Sequence, residues 1–218
     1  MNTRTPTREE RKALTREERK ALTREKLMSA ALHLLDENSF AGLSLREVTR
    51  EAGVSPAAFY RHFDDMEELG LVLVAESFRP LRQMIREVRE DPSRIEHVVR
   101  GSVEVLVHQV HENRLSFRFI TRERFSGVPA IRQAIARELQ LIASELATDF
   151  ARFPYLSEWT TEDLQMIAGL FVDTSVSTAE AIIEVPPSTP ELERDVIRTA
   201  EQRLRLIALG VPAWRSVR

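Results

Sequence analysis

Apolar side chains recur three and four positions apart along almost the whole chain after about residue 24. That spacing gathers them on one face of a helix, whereas a strand would show sustained alternation, which the sequence lacks. Leu27, Ala30, Ala31, Leu34 and Leu35, for example, form a single apolar stripe. The pattern therefore predicts an all-α fold, with helices at about 24–37, 45–52, 56–62, 66–90, 94–111, 113–125, 128–152, 161–184 and 189–208.

Two of the shorter predicted helices are bounded by start and stop signals. Ser44 followed by Glu47 is a capping box, in which the two residues satisfy each other's free backbone N–H groups. Gly53 suits the left-handed conformation that ends a helix, and Ser55 with Pro56 supplies the N-cap and first residue of the next helix. Two short helices joined by such a turn indicate a helix-turn-helix motif over residues 44–63.

Composition excludes several classes of protein. The chain has 218 residues, of which 43% are apolar and 30% charged, and it contains no cysteine. No apolar run approaches the roughly 18 residues that span a bilayer, and the Arg- and Glu-rich N-terminus does not resemble a signal peptide, so we expect no membrane insertion. The absence of Cys excludes disulfides, thiolate nucleophiles and Cys-bound zinc, and it fits a cytoplasmic location.

The net charge of −3 conceals a polarised distribution. Residues 1–26 hold 9 basic and 5 acidic side chains, whereas residues 65–218 hold 19 basic and 24 acidic ones. The octapeptide TREERKAL occurs at 7–14 and again at 15–22, which predicts a basic helical or disordered arm over 1–20. Two interpretations stay open. The arm is a solvated extension with intrahelical ion pairs, or the bases nearest the domain contact DNA phosphates or a minor groove, namely Arg16, Arg19, Arg24 and Lys26.

The segment LSLREVTREAGVSPAAFYRHFDDMEEL at 43–69 resembles the DNA-binding domain of TetR-type transcriptional regulators. The resemblance implies a DNA-binding domain over 21–81 and a helical ligand-binding and dimerisation domain over 82–218. ESFRPLRQMIREVRE at 76–90 and FRFITRERFSGVPAIRQAIARELQLI at 117–142 are similar to the FabR- and DesT-like fatty acid biosynthesis repressors of that family. This second resemblance implies a long-chain acyl-CoA or a similar amphipathic effector, with no other cofactor.

The third predicted helix opens with small side chains, which permit close approach to base edges in a major groove. Tyr60 and His62 resemble the family's phosphate contacts, and Arg61 offers a bidentate donor. Packing or a solvated surface is the alternative for each, while Phe59 and Phe63 are expected in the core. The predicted DNA-binding residues are Arg24, Ser44, Arg46, Ser55, Pro56, Ala57, Ala58, Tyr60, Arg61 and His62.

The C-terminal half shows no nucleophile, metal-binding or phosphate-binding motif, so we expect no enzyme. His108, His111 and Glu104 permit a metal site, but a solvated surface explains them as well. A pocket for an acyl chain needs an apolar lining and a cationic mouth, although such apolar residues are equally explained as core. The predicted ligand-binding residues are Phe78, Met84, Phe117, Ile120, Phe125, Ile135, Leu139, Phe171, Ile182 and Arg122, with Arg118, Arg124 and Arg132 as further head-group candidates.

By resemblance, the last two helices form a homodimer, and the dimer is a repressor of genes for unsaturated fatty acid synthesis or desaturation. Two recognition helices about 34 Å apart would require a palindromic double-stranded DNA operator. The expected interface residues are Leu170, Val176, Ile183, Leu204, Ile207 and Ala208. Two alternatives stay open: a TetR-type repressor of a hydrophobic drug or other xenobiotic, and a lipid-binding protein that no longer reads DNA.

Overall fold

The computed structural model describes the backbone of residues 15–88 and 95–216, and the side chains of 15–82 and 101–216. Within these ranges the chain is helical and has no strand, which confirms the all-α prediction. Short 3-10 turns lie at Phe40–Gly42 and Val211–Ala213. The α-helices are α1 (Arg16–Leu34), α2 (Leu45–Glu51), α3 (Pro56–Phe59), α4 (Met66–Val88), α5 (Ile95–Glu112), α6 (Arg114–Glu123), α7 (Pro129–Phe150), α8 (Thr161–Glu184) and α9 (Pro190–Gly210).

Three predicted helix boundaries were wrong, among them the end of α1, which lies at Leu34 rather than at residue 37. α1 begins at Arg16 rather than near residue 24, because the second octapeptide copy carries its own start signal. Thr15 Oγ1 accepts the Glu18 N–H at 3.2 Å, and Glu18 Oε2 accepts the Thr15 N–H at 2.6 Å. α3 ends at Phe59 rather than at residue 62, since Tyr60 is already its C-cap.

A single apolar core joins the N-terminal helices to the rest of the chain. It contains buried residues from α1 to α4 together with Phe119 of α6 and Ile131 and Ile135 of α7. Phe40 packs so closely on Gly70 that a Cβ added there would lie 2.4 Å from the Phe40 Cζ. The helix-turn-helix therefore packs directly on the C-terminal helices.

α8 lies at the centre of the C-terminal half, where it packs against α5, α6, α7 and α9. Among the described residues it is the one helix long and apolar enough to cross a bilayer. Contacts with four neighbours explain that composition, because a helix buried on most sides is apolar on most sides.

Apolar side chains remain exposed on α8 and α9. Leu170 is 47% exposed, as expected for an interface residue, whereas Ile183 and Leu204 are buried in this chain's own core. The expected interface set was therefore wrong for those two residues. The large apolar side chains that these helices leave exposed are Met166, Leu170, Leu192, Leu206 and Leu209.

Candidate DNA-binding element and ligand cavity

The predicted capping box at the start of α2 is confirmed. Ser44 Oγ accepts the Glu47 N–H at 3.3 Å, and the Glu47 carboxylate accepts the Ser44 N–H at 2.9 Å. Hydrogen bonds from the Ser44 hydroxyl and backbone lower the pKa of Glu47. Arg46, on the first turn of this helix, is exposed. Ser44 thus fixes the start of the helix from which Arg46 projects.

The turn and α3 follow the predicted geometry. Gly53 has a φ of 64°, the left-handed conformation that glycine adopts most readily. Ser55 Oγ accepts the Ala58 N–H at 3.2 Å, and Pro56 occupies the first helical position. Ala57 is exposed and Ala58 half-buried at the start of this short helix. Small side chains therefore border the surface that we expect to approach DNA.

Core and surface residues alternate along the end of α3. The rings of Phe59 and Phe63 are buried, with centroids 5.5 Å apart. Tyr60 is 61% exposed, and Arg61 is exposed beside it. The two phenylalanines anchor the element in the core, as predicted, and leave the Tyr60 hydroxyl and the Arg61 guanidinium at the surface.

Arg24 connects α1 to the end of this element. Its Nη1 donates to the His62 carbonyl at 3.0 Å, and its guanidinium lies 4.6 Å from the centroid of the Phe63 ring. A hydrogen bond to a charged donor and a cation–π contact together hold α1 against α3. The predicted DNA-contact residue Arg24 therefore has a structural role within the domain.

His62 lies in a basic environment. Burial is the largest cause that lowers the pKa of His62, and the positive charges of Lys20, Arg24 and Arg61 lower it further. Its Nδ1 is buried and has no hydrogen-bond partner among the described residues. Several cations thus converge on the side of the element where the sequence predicts phosphate contacts.

An apolar cavity lies among α4, α5, α6, α7 and α8. It offers about 140 Å³ of space to a bound molecule and is partly open to solvent. Small-molecule pockets in proteins measure about 300–1,000 Å³. Half of the predicted ligand-binding residues line this cavity: Phe78, Phe117, Ile120, Leu139 and Phe171.

The other predicted ligand-binding residues lie elsewhere. Phe125 is 76% exposed and packs on Arg124. Ile135 and Ile182 are buried in apolar clusters that also contain cavity-lining residues, but neither of the two lines the cavity. The side chain of Met84 lies outside the described residues. Apolar periodicity predicts that such residues lie inside a helical protein, but it does not distinguish solid core from cavity wall. The prediction therefore included residues of both kinds.

One part of the cavity wall was missed. α8 contributes Val172, Ser175, Val176 and Ala179, which share a helix face because they are three and four residues apart. Val176 was expected at the dimer interface, whereas the structure places it on the cavity wall. All four side chains are small. Small residues also occupy neighbouring positions of α8, at Thr174, Ser177 and Thr178, so the sequence carries no signal that distinguishes this wall from the other faces of the helix. The remaining residues not predicted are Leu81, Ser102, Leu106, Thr121, Ile142 and Leu146.

Arg122 lies outside the cavity wall and bonds to the end of α1. Its Nη1 donates to the Asp36 carbonyl at 3.0 Å and to the Leu35 carbonyl at 3.3 Å. One turn earlier, Arg118 pairs with the Asp36 carboxylate at 3.1 Å. Positive side chains at a helix C-terminus satisfy carbonyl groups that have no partner within the helix. These two arginines therefore fasten α6 to the DNA-binding half.

Glu123 completes this junction. Its side chain is 2% exposed, and its Oε1 accepts the backbone N–H of Phe40 at 2.8 Å. On the other side of α6, Phe117, Ile120 and Thr121 line the cavity. A single ten-residue helix thus contacts the cavity with one face and the DNA-binding half with the other.

The remaining head-group candidates have protein partners. Arg124 pairs with Glu180 at 2.8 Å, and Arg132 donates to the Ser126 carbonyl at 2.6 Å. No charged side chain lines the cavity in the part of the chain whose side chains are described. The cavity can accordingly hold an apolar group, and any charged head group would have to lie outside this wall.

The histidines of α5 do not gather a metal-binding set. Nε2 of His111 pairs with Glu193 of α9 at 3.0 Å. In the described ranges no group of three or more His, Asp or Glu side chains could hold a metal ion.

Comparison with known protein families gives two matches. The family described as bacterial regulatory proteins, tetR family, matches residues 27–71. The family described as tetracyclin repressor-like, C-terminal domain, matches residues 94–209, which is more than half of the chain. Together the two matches span the helix-turn-helix and most of the helices around the cavity.

Solved structures with the same fold come from several bacteria. A fatty acid degradation regulator FadR from Bacillus halodurans has a TM-score of 0.66 and 13% identity, with 89% of this chain and 97% of that chain covered. A transcriptional regulator FadR from Bacillus subtilis in complex with stearoyl-CoA has a TM-score of 0.65 and 14% identity over 84% and 96% of the two chains.

A putative transcriptional regulator from Pseudomonas aeruginosa PAO1 has a TM-score of 0.64 and 22% identity, over 93% and 96% of the chains. At these identities the likeness shows the fold alone, whereas the family matches extend along the sequence of both halves. The family matches cover residues 27–71, which include the helix-turn-helix, and residues 94–209, which include most of the helices around the cavity. The chain belongs to the tetR family of bacterial transcriptional regulators.

Proposed function

We propose that this regulator is a dimeric repressor that senses long-chain acyl-CoA and controls genes for unsaturated fatty acid synthesis or desaturation. The observation that carries the proposal is the apolar cavity bordered by α6, whose opposite face holds the DNA-binding half through Glu123 and Arg122. An effector in the cavity would act on that helix directly. The protein works in the cytoplasm, where its operator and its effector are both present.

The cavity suits an acyl chain in its chemistry. Its wall is made almost entirely of apolar side chains. Its volume of about 140 Å³ is below the range of about 300–1,000 Å³ for small-molecule pockets, so a long acyl chain would have to widen the cavity or extend out of its opening. The structural neighbours named FadR, one of them holding stearoyl-CoA, support a fatty acyl effector by analogy of fold. The partial opening of the cavity leaves room for a coenzyme A head group outside it.

A second candidate is a neutral hydrophobic effector such as a drug or other xenobiotic. The arginines expected at the cavity mouth are bonded to protein groups: Arg118 and Arg122 to the end of α1, Arg124 to Glu180, and Arg132 to the Ser126 carbonyl. A ligand without a charged group would need none of them. This observation favours the second candidate over a charged head group held at the wall.

The dimer of the proposal uses exposed apolar surface on α8 and α9. Met166, Leu170, Leu206 and Leu209 are each at least 42% exposed. A symmetric pairing of these helices would bury them in a four-helix arrangement and set the two α3 elements on one side of DNA. The operator is then a palindrome whose half-sites are about one helical turn apart.

Coupling would pass through α6. An acyl chain lying against Phe117 and Ile120 displaces this helix, and the displacement moves the end of α1 that Arg118 and Arg122 hold. A ligand shifts the equilibrium only by its difference in affinity between the two positions of the helix. By family resemblance, unsaturated chains strengthen repression.

The test begins with an operator selected from a randomised duplex library by the purified chain. Oleoyl-CoA, palmitoyl-CoA, free CoA and a neutral apolar dye are then titrated during operator binding. We expect either acyl-CoA, but not free CoA, to change operator affinity. A response to the neutral dye alone would favour the xenobiotic reading, and no response to either acyl-CoA would refute the lipid proposal.

A matched pair of variants locates the effector. Leu139→Trp fills the cavity wall, whereas Leu141→Trp adds the same group to an exposed position on the same helix. We expect only the first variant to lose the acyl-CoA response. Tyr60→Phe combined with Arg61→Ala tests DNA reading: we expect this variant to lose operator affinity, and unchanged affinity would show that these two residues are not the DNA contacts. Wild-type protein that selects no operator would support a lipid-binding protein instead.

A further inference from the structure

The octapeptide repeat places a basic residue at every fourth position of the N-terminal segment. Within each copy of TREERKAL, the Arg at the second position and the Lys at the sixth are four residues apart. Because the copies are eight residues long, the spacing continues from one copy to the next. Residues four apart are neighbours on one helix face. Arg8 and Lys12 lie outside the described residues, and on α1 the row consists of Arg16, Lys20 and Arg24.

α1 displays these three residues on a regular helix. The helix starts at Arg16 with a complete capping box, so the second copy is helical to its first residue. At 1.5 Å per residue, Arg16 and Arg24 are about 12 Å apart along the axis. Arg16 and Lys20 are exposed, whereas Arg24 is half-buried against the domain. The row thus begins at Arg24, against the domain, and runs along α1 away from it to Arg16.

The inner end of the row meets the proposed DNA-reading element. Arg24 donates to the His62 carbonyl at 3.0 Å, directly after Tyr60 and Arg61. Lys20, one turn away, is close enough for its charge to act on His62. The basic face of α1 is therefore continuous with the surface on which the predicted phosphate contacts lie.

The two outer cations of the described row have no partner in the part of the chain that is described. Neither Arg16 nor Lys20 forms an ion pair or a side-chain hydrogen bond there, although Glu17 and Glu18 are adjacent in sequence. Glu18 instead bonds to Thr15 at the helix start. Some arginines on the sensor helices, by contrast, pair with carboxylates, as Arg194 does with Glu191 and Arg198 with Asp195.

We propose that Arg16 and Lys20 bind the phosphate backbone of duplex DNA beside the operator half-site, so that α1 extends the DNA contact outward from α3. The proposal rests on the proposed function, since it assumes that α3 reads an operator. Charge complementarity identifies the occupant: an unpaired cationic row continuous with a DNA-reading element matches the regular anionic backbone of the same duplex. These contacts add affinity without sequence preference.

The first test compares salt dependence. Arg16→Gln with Lys20→Gln removes two cations from each protomer, and Arg137→Gln with Arg152→Gln removes the same charge from exposed sites on the sensor half. Each lost phosphate contact reduces the slope of log affinity against log salt by about 0.9, so four contacts in a dimer reduce it by about 3.6. The sensor control should retain the wild-type slope.

The second test locates the contact. The selected operator is shortened at both ends to its two half-sites, and binding of the wild type and the double variant is compared on the long and short duplexes. We expect shortening to weaken the wild type and to leave the variant almost unchanged. Equal loss in both proteins would overturn the assignment to flanking backbone, and an unchanged salt slope in the variant would overturn the contact altogether.

These outcomes separate the proposal from the function on which it rests. Wild-type protein that selects no operator refutes the proposed function and the extended contact together. Tight binding by both the wild type and the double variant, with equal salt slopes, refutes only the contact by Arg16 and Lys20. Circular dichroism at equal concentration verifies that the variant keeps its helix content, as expected because Gln, Arg and Lys have similar helix propensities.

Discussion

Replacement of Glu123 by alanine tests the junction between the cavity and the DNA-binding half. The Glu123 carboxylate is 2% exposed and accepts the Phe40 N–H at 2.8 Å across the two halves of the chain. The change to alanine removes the acceptor and leaves a buried N–H without a partner. Glu123→Gln keeps an acceptor oxygen of similar reach but removes the charge.

The size of the effect follows from the hydrogen bond. A hydrogen bond to a charged group contributes about 1.5–3 kcal/mol, and a buried donor left unpaired costs about 1–3 kcal/mol. We therefore expect Glu123→Ala to lower the free energy of unfolding by about 2–3 kcal/mol. For a chain of this length, this corresponds to a decrease in Tm of about 4–12 °C. Glu123→Gln should lose about half as much.

Urea unfolding followed by circular dichroism measures this difference at a fixed protein concentration. Glu112→Ala, at an exposed position on α5, is the control and should change stability by less than about 0.5 kcal/mol. We also expect Glu123→Ala to weaken the effect of ligand on operator affinity, because the sensor loses one of its links to Phe40. Wild-type stability combined with wild-type ligand response in this variant would refute the junction.

Three further predictions concern single sites. Gly70→Ala places a Cβ 2.4 Å from the Phe40 ring, so we expect a loss of about 1–3 kcal/mol in urea unfolding, and a neutral result would mean that the ring moves aside easily. Leu170→Arg should shift the sedimentation coefficient toward the monomer if α8 forms the interface; an unchanged dimer contradicts this. The pKa of His62 is lower in the folded chain than in the unfolded chain. As pH falls below the ordinary pKa of histidine, the unfolded chain is therefore protonated at His62 before the folded chain is, and this difference lowers the free energy of unfolding at acid pH. Urea unfolding at pH 7.5 and 5.5 should therefore show a smaller acid loss in His62→Asn than in the wild type, and equal losses would contradict the shift.

The helical fold was predictable because each signal is local. Ser44, Gly53 and Ser55 fix the boundaries of α2 and α3 through contacts with residues three positions away. The start of α1 was local too, since Thr15 and Glu18 form the same type of capping box. It was missed because the repeat was interpreted as an arm apart from the first helix.

The cavity and the roles of the arginines depend on contacts distant in sequence. Arg122 reaches the end of α1, more than eighty residues earlier in the chain, and no local pattern distinguishes that contact from a bond to a ligand head group. Similarly, Ile135 and Leu139 are one turn apart on α7, yet only Leu139 lines the cavity. The way each helix face is oriented in the packed fold determines both the partner of Arg122 and whether Leu139 or Ile135 lines the cavity.

The eight-residue period of the N-terminal repeat makes the number of copies an adjustable property of the protein. Eight is a multiple of four, so duplication or loss of one TREERKAL unit preserves the cationic spacing and changes the row by two side chains. Each unit also brings its own Thr and Glu for a helix start, as Thr15 and Glu18 demonstrate. If Arg16 and Lys20 contact DNA as proposed, a change in copy number would change the strength of DNA attachment in steps of two cations, without altering the recognition helix or the cavity.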